Sequence, residues 1–414
     1  MKAEILSTGD EIRTGALVDS NTAWIAECLE RQGVAVTRHL SVGDDLSTLT
    51  DAITEISRRA DVAVVTGGLG PTVDDRTIEA AARAAGVELV LDAAALAVIE
   101  DFFKRRGWPF SPSNRKQALV PQGGACLPNP IGTAPGIRLS IHGCTFFFMP
   151  GVPAEMRRML DEQVLPQIGA MQGGVREFNL LRTISTFGLG ESRVGEKIAA
   201  VKEHFPEITL GLRAKFPEIQ VKLYLRTQDE PVGKKILAAA DDWVSGVLGQ
   251  HVFSHHGRTM AEEVGRLMLA RGATLALAES CTGGLAANWI TNTAGSSGYF
   301  LFSGVTYHNA AKINVLGVSE RTLQEKGAVS EETARQMAEG ARRVAGATYG
   351  LGLTGIAGPD GGTDEKPVGT VWIALAAADG TVAKRHCFTF GQRLMNKRMF
   401  AMTALDMLRL KLVQ

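Results

Sequence analysis

Short apolar or β-branched runs at 3–8 (AEILST), 34–38 (VAVTR) and 61–66 (DVAVVT) alternate with segments of helical spacing. Trp24, Ile25, Cys28 and Leu29 mark one helix face, and Leu49, Ile53 and Ile56 the next. Strand, helix, strand, helix, strand predicts a parallel sheet with right-handed crossovers and a ligand site at the carboxyl ends of its strands. TGGLGPT at 66–72 falls at such an end. FFFMPG (146–151) reads as a further strand ending in a Gly/Pro turn, followed by a helix from about Ala154 to Ile168. An α/β domain with a doubly wound, mostly parallel sheet is therefore expected over 1–170.

From 171 to 255 the pattern changes to LLRTIST, a GLGES turn, an amphipathic stretch through Ile198 and Val201, two adjacent strands (ITLGLRA, IQVKLYLRT) and a helix near 233–247. This is a small α+β module with no catalytic constellation, read as a spacer or dimerisation domain. A homodimer is expected. The third unit, 256–414, opens with a helix near Met260 (Val264, Leu267, Met268) and the strand ATLALA at 273–278. GLGLT (350–354) and GTVWIALA (369–376) are further strands, and Ser330 is placed to cap a helix from Glu331 to Val344.

The chain has 414 residues, 44 Lys+Arg and 44 Asp+Glu. That length predicts two or three domains, and the zero net charge argues against nucleic acid as a partner. The start MKAEILSTGDEI has no apolar run or cleavage site of a signal peptide, so a cytoplasmic protein without a membrane partner is expected. Cys28, Cys126, Cys144, Cys281 and Cys387 are widely spaced and never CxxC, which argues against a disulfide framework or a thiolate zinc site.

The candidate chemistry gathers in the last third. ATLALA runs into Glu279, Ser280, Cys281, Thr282, Gly283 and Gly284 and then a helix with Leu285, Trp289 and Ile290. A hydroxyl at a strand-to-helix turn is exposed at the sheet edge, and glycine-rich helix starts offer amides to an oxyanion or phosphate. An N-cap serine in a tight turn is the plainer reading. From Ser280 through Ala311 the chain has 32 residues without Asp, Glu, Lys or Arg, and Lys312 ends that run. A lysine tethered to such a stretch is a candidate for desolvation, which lowers its pKa towards a value useful for a base and makes a Ser-Lys pair. Tyr307 lies close enough in sequence to share the site and relay a proton. His308 competes as base and Cys281 as nucleophile; adjacent strand residues point to opposite faces, so Tyr307 and His308 are not expected to serve one site. A second loop, Thr354, Gly355, Ile356, Ala357, Gly358, suits an anion, with Arg393 and Lys397 as matching cations. Together these predict hydrolysis of a small phosphorylated substrate.

AESCTGG (278–284), GVTYHNAAK (304–312), GAVSEE (327–332), TGIAGPDGG (354–362) and KPVGTVW (366–372) closely resemble the CinA C-terminal family, the nicotinamide mononucleotide deamidases. The resemblance implies hydrolysis of the nicotinamide carboxamide to nicotinic acid mononucleotide and ammonia, without a cofactor. It implies Ser280 as nucleophile, Lys312 as its base, Tyr307 as relay and Arg393 as phosphate ligand. Glu279, Thr282, Gly283, Gly284, Thr354, Gly355, Ala357 and Gly358 are the expected substrate-binding residues.

GDEIRTGALVDSN (9–21), VGDD (42–45), TGGLGPTVDDRTIEA (66–80) and MPGVPAEM (149–156) resemble the molybdopterin-binding fold domain that opens full-length CinA proteins. The match implies a nucleotide or phosphate site at Gly67, Gly68, Gly70, Asp44 and Asp75. It also implies ADP-ribose pyrophosphatase activity with a divalent metal (Mg, Mn or Co) near Asp75 and Asp10. Glu11 and Asn21 are further candidates, Asp74 and Asp75 equally suit helix N-capping, and no Nudix-like run occurs. The middle module resembles the KH-type domain of the same family. Two alternatives stay open: a molybdopterin-binding or adenylyl-transferring protein, and a non-catalytic competence or DNA-repair partner.

Overall fold

A computed structural model describes residues 1–173 and 177–414. By compactness the chain divides into two units, Met1–Leu181 with Leu225–Lys235, and Arg182–Tyr224 with Ile236–Gln414. No helix among the described residues is long and apolar enough to cross a membrane.

The first unit is built on a six-stranded sheet in the order Ala35–Val42, Lys2–Thr8, Val62–Thr66, Cys144–Met149, Gly136–Ile141, Ala125–Leu127. The first three pairings are parallel and the last two antiparallel. Period-two alternation explains how both faces are covered. Leu6, Val65, Phe146 and Phe148 point to one core with the helices Leu46–Ser57 and Thr77–Ala85. Ile5, Val64, Phe147 and Met149 point to the other with Ser20–Arg31 and the helical run from Pro153. That run is not the single helix the spacing predicts. Pro166 lacks an amide hydrogen and its ring crowds the carbonyl four residues back, and the backbone passes through a π-helical segment at Leu160–Val164 before resuming at Leu165–Met171.

A four-stranded sheet follows, ordered Ile208–Lys215, Glu218–Thr227, Phe178–Thr186, Val252–Ser254, with the two expected strands adjacent. The C-terminal sheet has five strands in the order Phe300–Val305, Leu275–Glu279, Tyr349–Gly355, Thr370–Ala377, Gly380–Cys387. Leu275 pairs in parallel with Phe300 and Tyr349, whereas the last two pairings are antiparallel. One face buries Leu275, Leu277, Leu351, Leu353 and Ile373 with the helices Met260–Ala270, Leu285–Thr291 and Arg393–Val413. The other face is lined by small residues because the helix Glu331–Ala345 lies directly on it. A Cβ at Gly350 would stand 2.2 Å from the Ala338 carbonyl oxygen, and one at Gly352 2.5 Å from that of Ala334. Ser330 caps this helix as expected, accepting from the Thr333 amide.

Candidate functional site

Ser280 follows directly on the strand Leu275–Glu279, and the chain turns through two consecutive left-handed glycines, Gly283 at φ 63° and Gly284 at φ 88°, into the helix Leu285–Thr291. The fully buried Glu279 carboxylate accepts from the amides of Ala286 and Ala287 at 3.2 and 2.9 Å. It thereby satisfies two of the donors that every helix start leaves open. Glu279 is thus turned away from solvent and orients the turn that carries Ser280, rather than standing among groups open to a substrate.

Lys312 comes to the same point from the helix Asn309–Leu316 and is 1% exposed. Its Nζ lies 3.2 Å from Ser280 Oγ, 2.8 Å from the carbonyl oxygen of Thr306 and 3.0 Å from that of Tyr307. Burial lowers its pKa, because no carboxylate compensates the desolvated ammonium. Two of the three partners are carbonyls, which only accept. A neutral Lys312 therefore gives both its hydrogens to them and leaves its lone pair to the Ser280 hydroxyl.

Tyr307 holds Lys312 by its backbone, while its hydroxyl accepts from Arg393 Nη2 at 3.1 Å rather than meeting Lys312 or Ser280. Arg393 opens the helix Arg393–Val413 and also donates from Nη1 to the Gly358 carbonyl at 2.7 Å. The glycine loop accordingly holds the cation through a carbonyl. Its neighbour Ala357 accepts from the Asn396 side-chain amide at 3.1 Å. Thr354 Oγ1 donates to the Ala328 carbonyl at 2.6 Å, and a Cβ at Gly355 would stand 2.5 Å from the Thr370 carbonyl oxygen. Lys397 Nζ lies 3.4 Å from where a Cβ on Gly283 would sit, so Arg393 and Lys397 both belong to this site. Thr282 Oγ1 is buried beside Ser280 in sequence without a partner.

The strand Phe300–Val305 ends before Tyr307, so strand alternation does not govern Tyr307 and His308. They part for another reason: His308 Nδ1 accepts from the Ala310 amide at 3.2 Å and caps the helix that carries Lys312. Cys281 is buried and its thiol is pushed up to about 12, first by desolvation, which leaves it protonated at neutral pH. Sequence reasoning missed Thr306 and Asn396. Asn396 was within reach, because it sits three residues after Arg393 and one before Lys397, on one helical face.

In the first unit, a cleft of about 480 Å³ opens at the carboxyl ends of Lys2–Thr8 and Val62–Thr66, lined by Gly67, Gly68, Gly70, Asp44, Asp75, Glu11 and Asn21 among others. Asn21 donates to the Gly151 carbonyl at 2.7 Å. Gly68 is left-handed at φ 65°, and a Cβ there would stand 2.0 Å from Thr77 Oγ1. The expected metal ligands do not converge. Asp75 accepts from the Thr72 amide at 2.8 Å and from its hydroxyl. Asp10 is outside the cleft lining and pairs with Arg13 at 3.1 Å. Asp44 accepts from the Asp10 amide at 3.0 Å, and its carboxyl is raised by burial, with Asp10, Glu11 and Asp74 adding like charge. No group of three His, Cys, Asp or Glu that could hold a metal ion is found among the described residues. These residues do not fit a resident metal centre.

Residues 4–170 match the family described as "Probable molybdopterin binding domain", 181–254 the "Damage-inducible protein CinA KH domain" and 257–412 the "CinA C-terminal domain". A CinA-like protein of Desulfosudis oleivorans is 51% identical across 100% of both chains. One from Geobacter sulfurreducens is 46% identical, again across 100% of both. The crystal structure of a competence/damage-inducible protein from Agrobacterium tumefaciens is 41% identical, covering 38% of this chain and 98% of that one, with a TM-score of 0.36. The chain belongs to the CinA family.

Proposed function

We propose that the C-terminal domain hydrolyses the carboxamide of nicotinamide mononucleotide to nicotinic acid mononucleotide and ammonia. The observation that carries this reading is the buried contact of 3.2 Å between Lys312 Nζ and Ser280 Oγ. Neutral Lys312 takes the Ser280 proton as Oγ attacks the carboxamide carbon, and the tetrahedral intermediate expels ammonia as that proton passes on to the leaving amine, which returns Lys312 to its neutral form. Water then attacks the acyl-serine, giving one proton to neutral Lys312, which hands it to Ser280 Oγ as nicotinic acid mononucleotide leaves. The amides of Ser280 and Gly283 are engaged by the carbonyls of Leu353 and Ser280, so we assign the oxyanion to other amides of the 281–284 turn. Arg393, exposed and only partly engaged, takes the phosphate. Once the phosphate draws Arg393 away from its hydroxyl, Tyr307 relays that proton, giving its own to the leaving amine and taking the one held by Lys312. The test is ammonia release from nicotinamide mononucleotide by wild type and by Ser280→Ala; no release by wild type at high enzyme concentration ends this reading.

The cleft of about 480 Å³ in the first unit favours a second activity there. We propose cleavage of ADP-ribose to AMP and ribose 5-phosphate, with the diphosphate lying along the glycine loop 67–70. Because the carboxylates do not form a resident ion site, we assign the expected divalent cation to the substrate complex. Incubation with ADP-ribose and Mg²⁺, Mn²⁺ or Co²⁺ must yield AMP; tight pterin binding without AMP would replace this reading.

A further inference from the structure

The unit containing Ser280 holds another cavity, of about 570 Å³, and no residue assigned to the amide chemistry lines it. Its size suits a small-molecule ligand. His386, Phe388 and Phe390, spaced two apart at the end of the strand Gly380–Cys387 and just beyond it, form an aromatic ladder. The His386 and Phe388 rings lie within 4° of parallel at 5.8 Å, and Phe388 and Phe390 within 19° at 6.4 Å. Phe216 meets Phe390 edge-on at 5.1 Å. Phe390 nevertheless remains 40% exposed at the end of the ladder. A part-exposed ring that ends an aromatic ladder is a platform for another flat ring.

Glu218 lies in the wall of the same cavity and is 7% exposed. One of its oxygens accepts from the Met260 amide at 3.4 Å, and Oε2, buried, has no partner. Burial raises its carboxyl pKa. Its unpartnered oxygen is an acceptor that complements an exocyclic amine. Gly188, Leu189 and Gly190 line the cavity too, and Gly190 starts the helix Glu191–Ile198 with no side-chain cap on its first amides. Uncapped amides at a helix start suit a phosphate.

We propose that this cavity is a nucleotide site distinct from the Ser280 site. An amino-bearing base of the adenine class stacks on the exposed Phe390 end of the ladder, Glu218 Oε2 accepts from its amine, and the phosphate lies at the amides after Gly190. Met399, Thr403 and Asp406 line the cavity from the helix whose first residue is Arg393, so the occupant packs on the element that carries the proposed phosphate ligand.

The site stands or falls independently of amide hydrolysis. The test is photolabelling of the full chain with 8-azido-AMP, followed by mass-spectrometric mapping. Label on peptides containing Phe216–Glu218 or His386–Phe390, displaced by excess AMP, is expected. In Phe390→Ala, compared at a temperature where circular dichroism shows it folded, that labelling should require about tenfold more probe. Label confined to peptides of the 67–75 loop or of 278–284, or undiminished in Phe390→Ala, would overturn the proposal.

Discussion

Lys312 Nζ stands 3.2 Å from Ser280 Oγ, with the carbonyls of Thr306 and Tyr307 accepting its other two hydrogen bonds. The arrangement selects which form of the lysine can act. Ser280→Ala and Lys312→Ala should each lower the rate of ammonia release from nicotinamide mononucleotide by at least about 100-fold, the usual scale for losing a nucleophile or base. Cys281→Ala should keep most of it. A folded but inactive Cys281→Ala would move the nucleophile to the thiol.

The pH profile follows from the lowered Lys312 pKa. The base acts when neutral, so kcat/KM should rise with pH and level off below the pKa of a free lysine. Stability carries the matching sign. Between the folded and unfolded pKa values the unfolded chain binds more protons at this position, so Lys312 contributes a penalty below the folded pKa that fades as pH rises towards the unfolded value. Lys312→Met should therefore flatten that part of the melting-temperature profile while abolishing activity. An unchanged profile would show that Lys312 keeps an ordinary pKa.

Glu279 should report on the turn rather than on the substrate. Glu279→Ala leaves two helix-start amides without partners, a cost of about 1–3 kcal/mol for each buried orphan, to be read by urea unfolding. Glu279→Gln keeps an acceptor for one of the two amides and should recover only part of that stability. Equal stability of wild type and Glu279→Ala would remove the clamp.

Arg393→Ala should raise KM for nicotinamide mononucleotide by about 10- to 100-fold, the scale of a hydrogen bond to a charged group. It should leave turnover of nicotinamide riboside, which has no phosphate, nearly unchanged. A matching loss on both substrates would place Arg393 outside phosphate recognition.

Gly68→Ala tests the cleft of the first unit. The left-handed φ of 65° and the 2.0 Å approach to Thr77 Oγ1 predict a loss of about 2 kcal/mol or more in that unit's thermal unfolding. The proposed ammonia release from nicotinamide mononucleotide should survive it.

The strands and helices that set both sites were legible because their apolar periods are clean: Ile5 and Val64 alternate with Leu6 and Val65 across one sheet, and the fully buried strand Leu275–Glu279 stops at the serine. The Ser280 and Lys312 pair was legible from charge spacing, since a 32-residue neutral run ending in one lysine leaves that lysine to be desolvated. The partners of side chains were not. Nothing in one dimension says that Tyr307 serves Lys312 through its carbonyl, or that Asp75 bends back onto Thr72, because both depend on loop paths that carry no periodic signal. The glycines of GLGLT were legible as a strand, but not as the reason a helix can lie on it.

The helix Arg393–Val413 supplies Arg393, Asn396 and Lys397 in its first turns, and its body buries Phe400, Leu405, Leu408 and Leu412 in the C-terminal core. That placement orders events during synthesis. Tyr307 and Arg393 are 86 residues apart, so at roughly 5–20 residues per second the ribosome needs roughly 4–17 seconds between them. Through that interval Ser280 and Lys312 already exist without the helix that brings their cation. The cleft of the first unit, whose lining ends at Glu155, has all its residues long before.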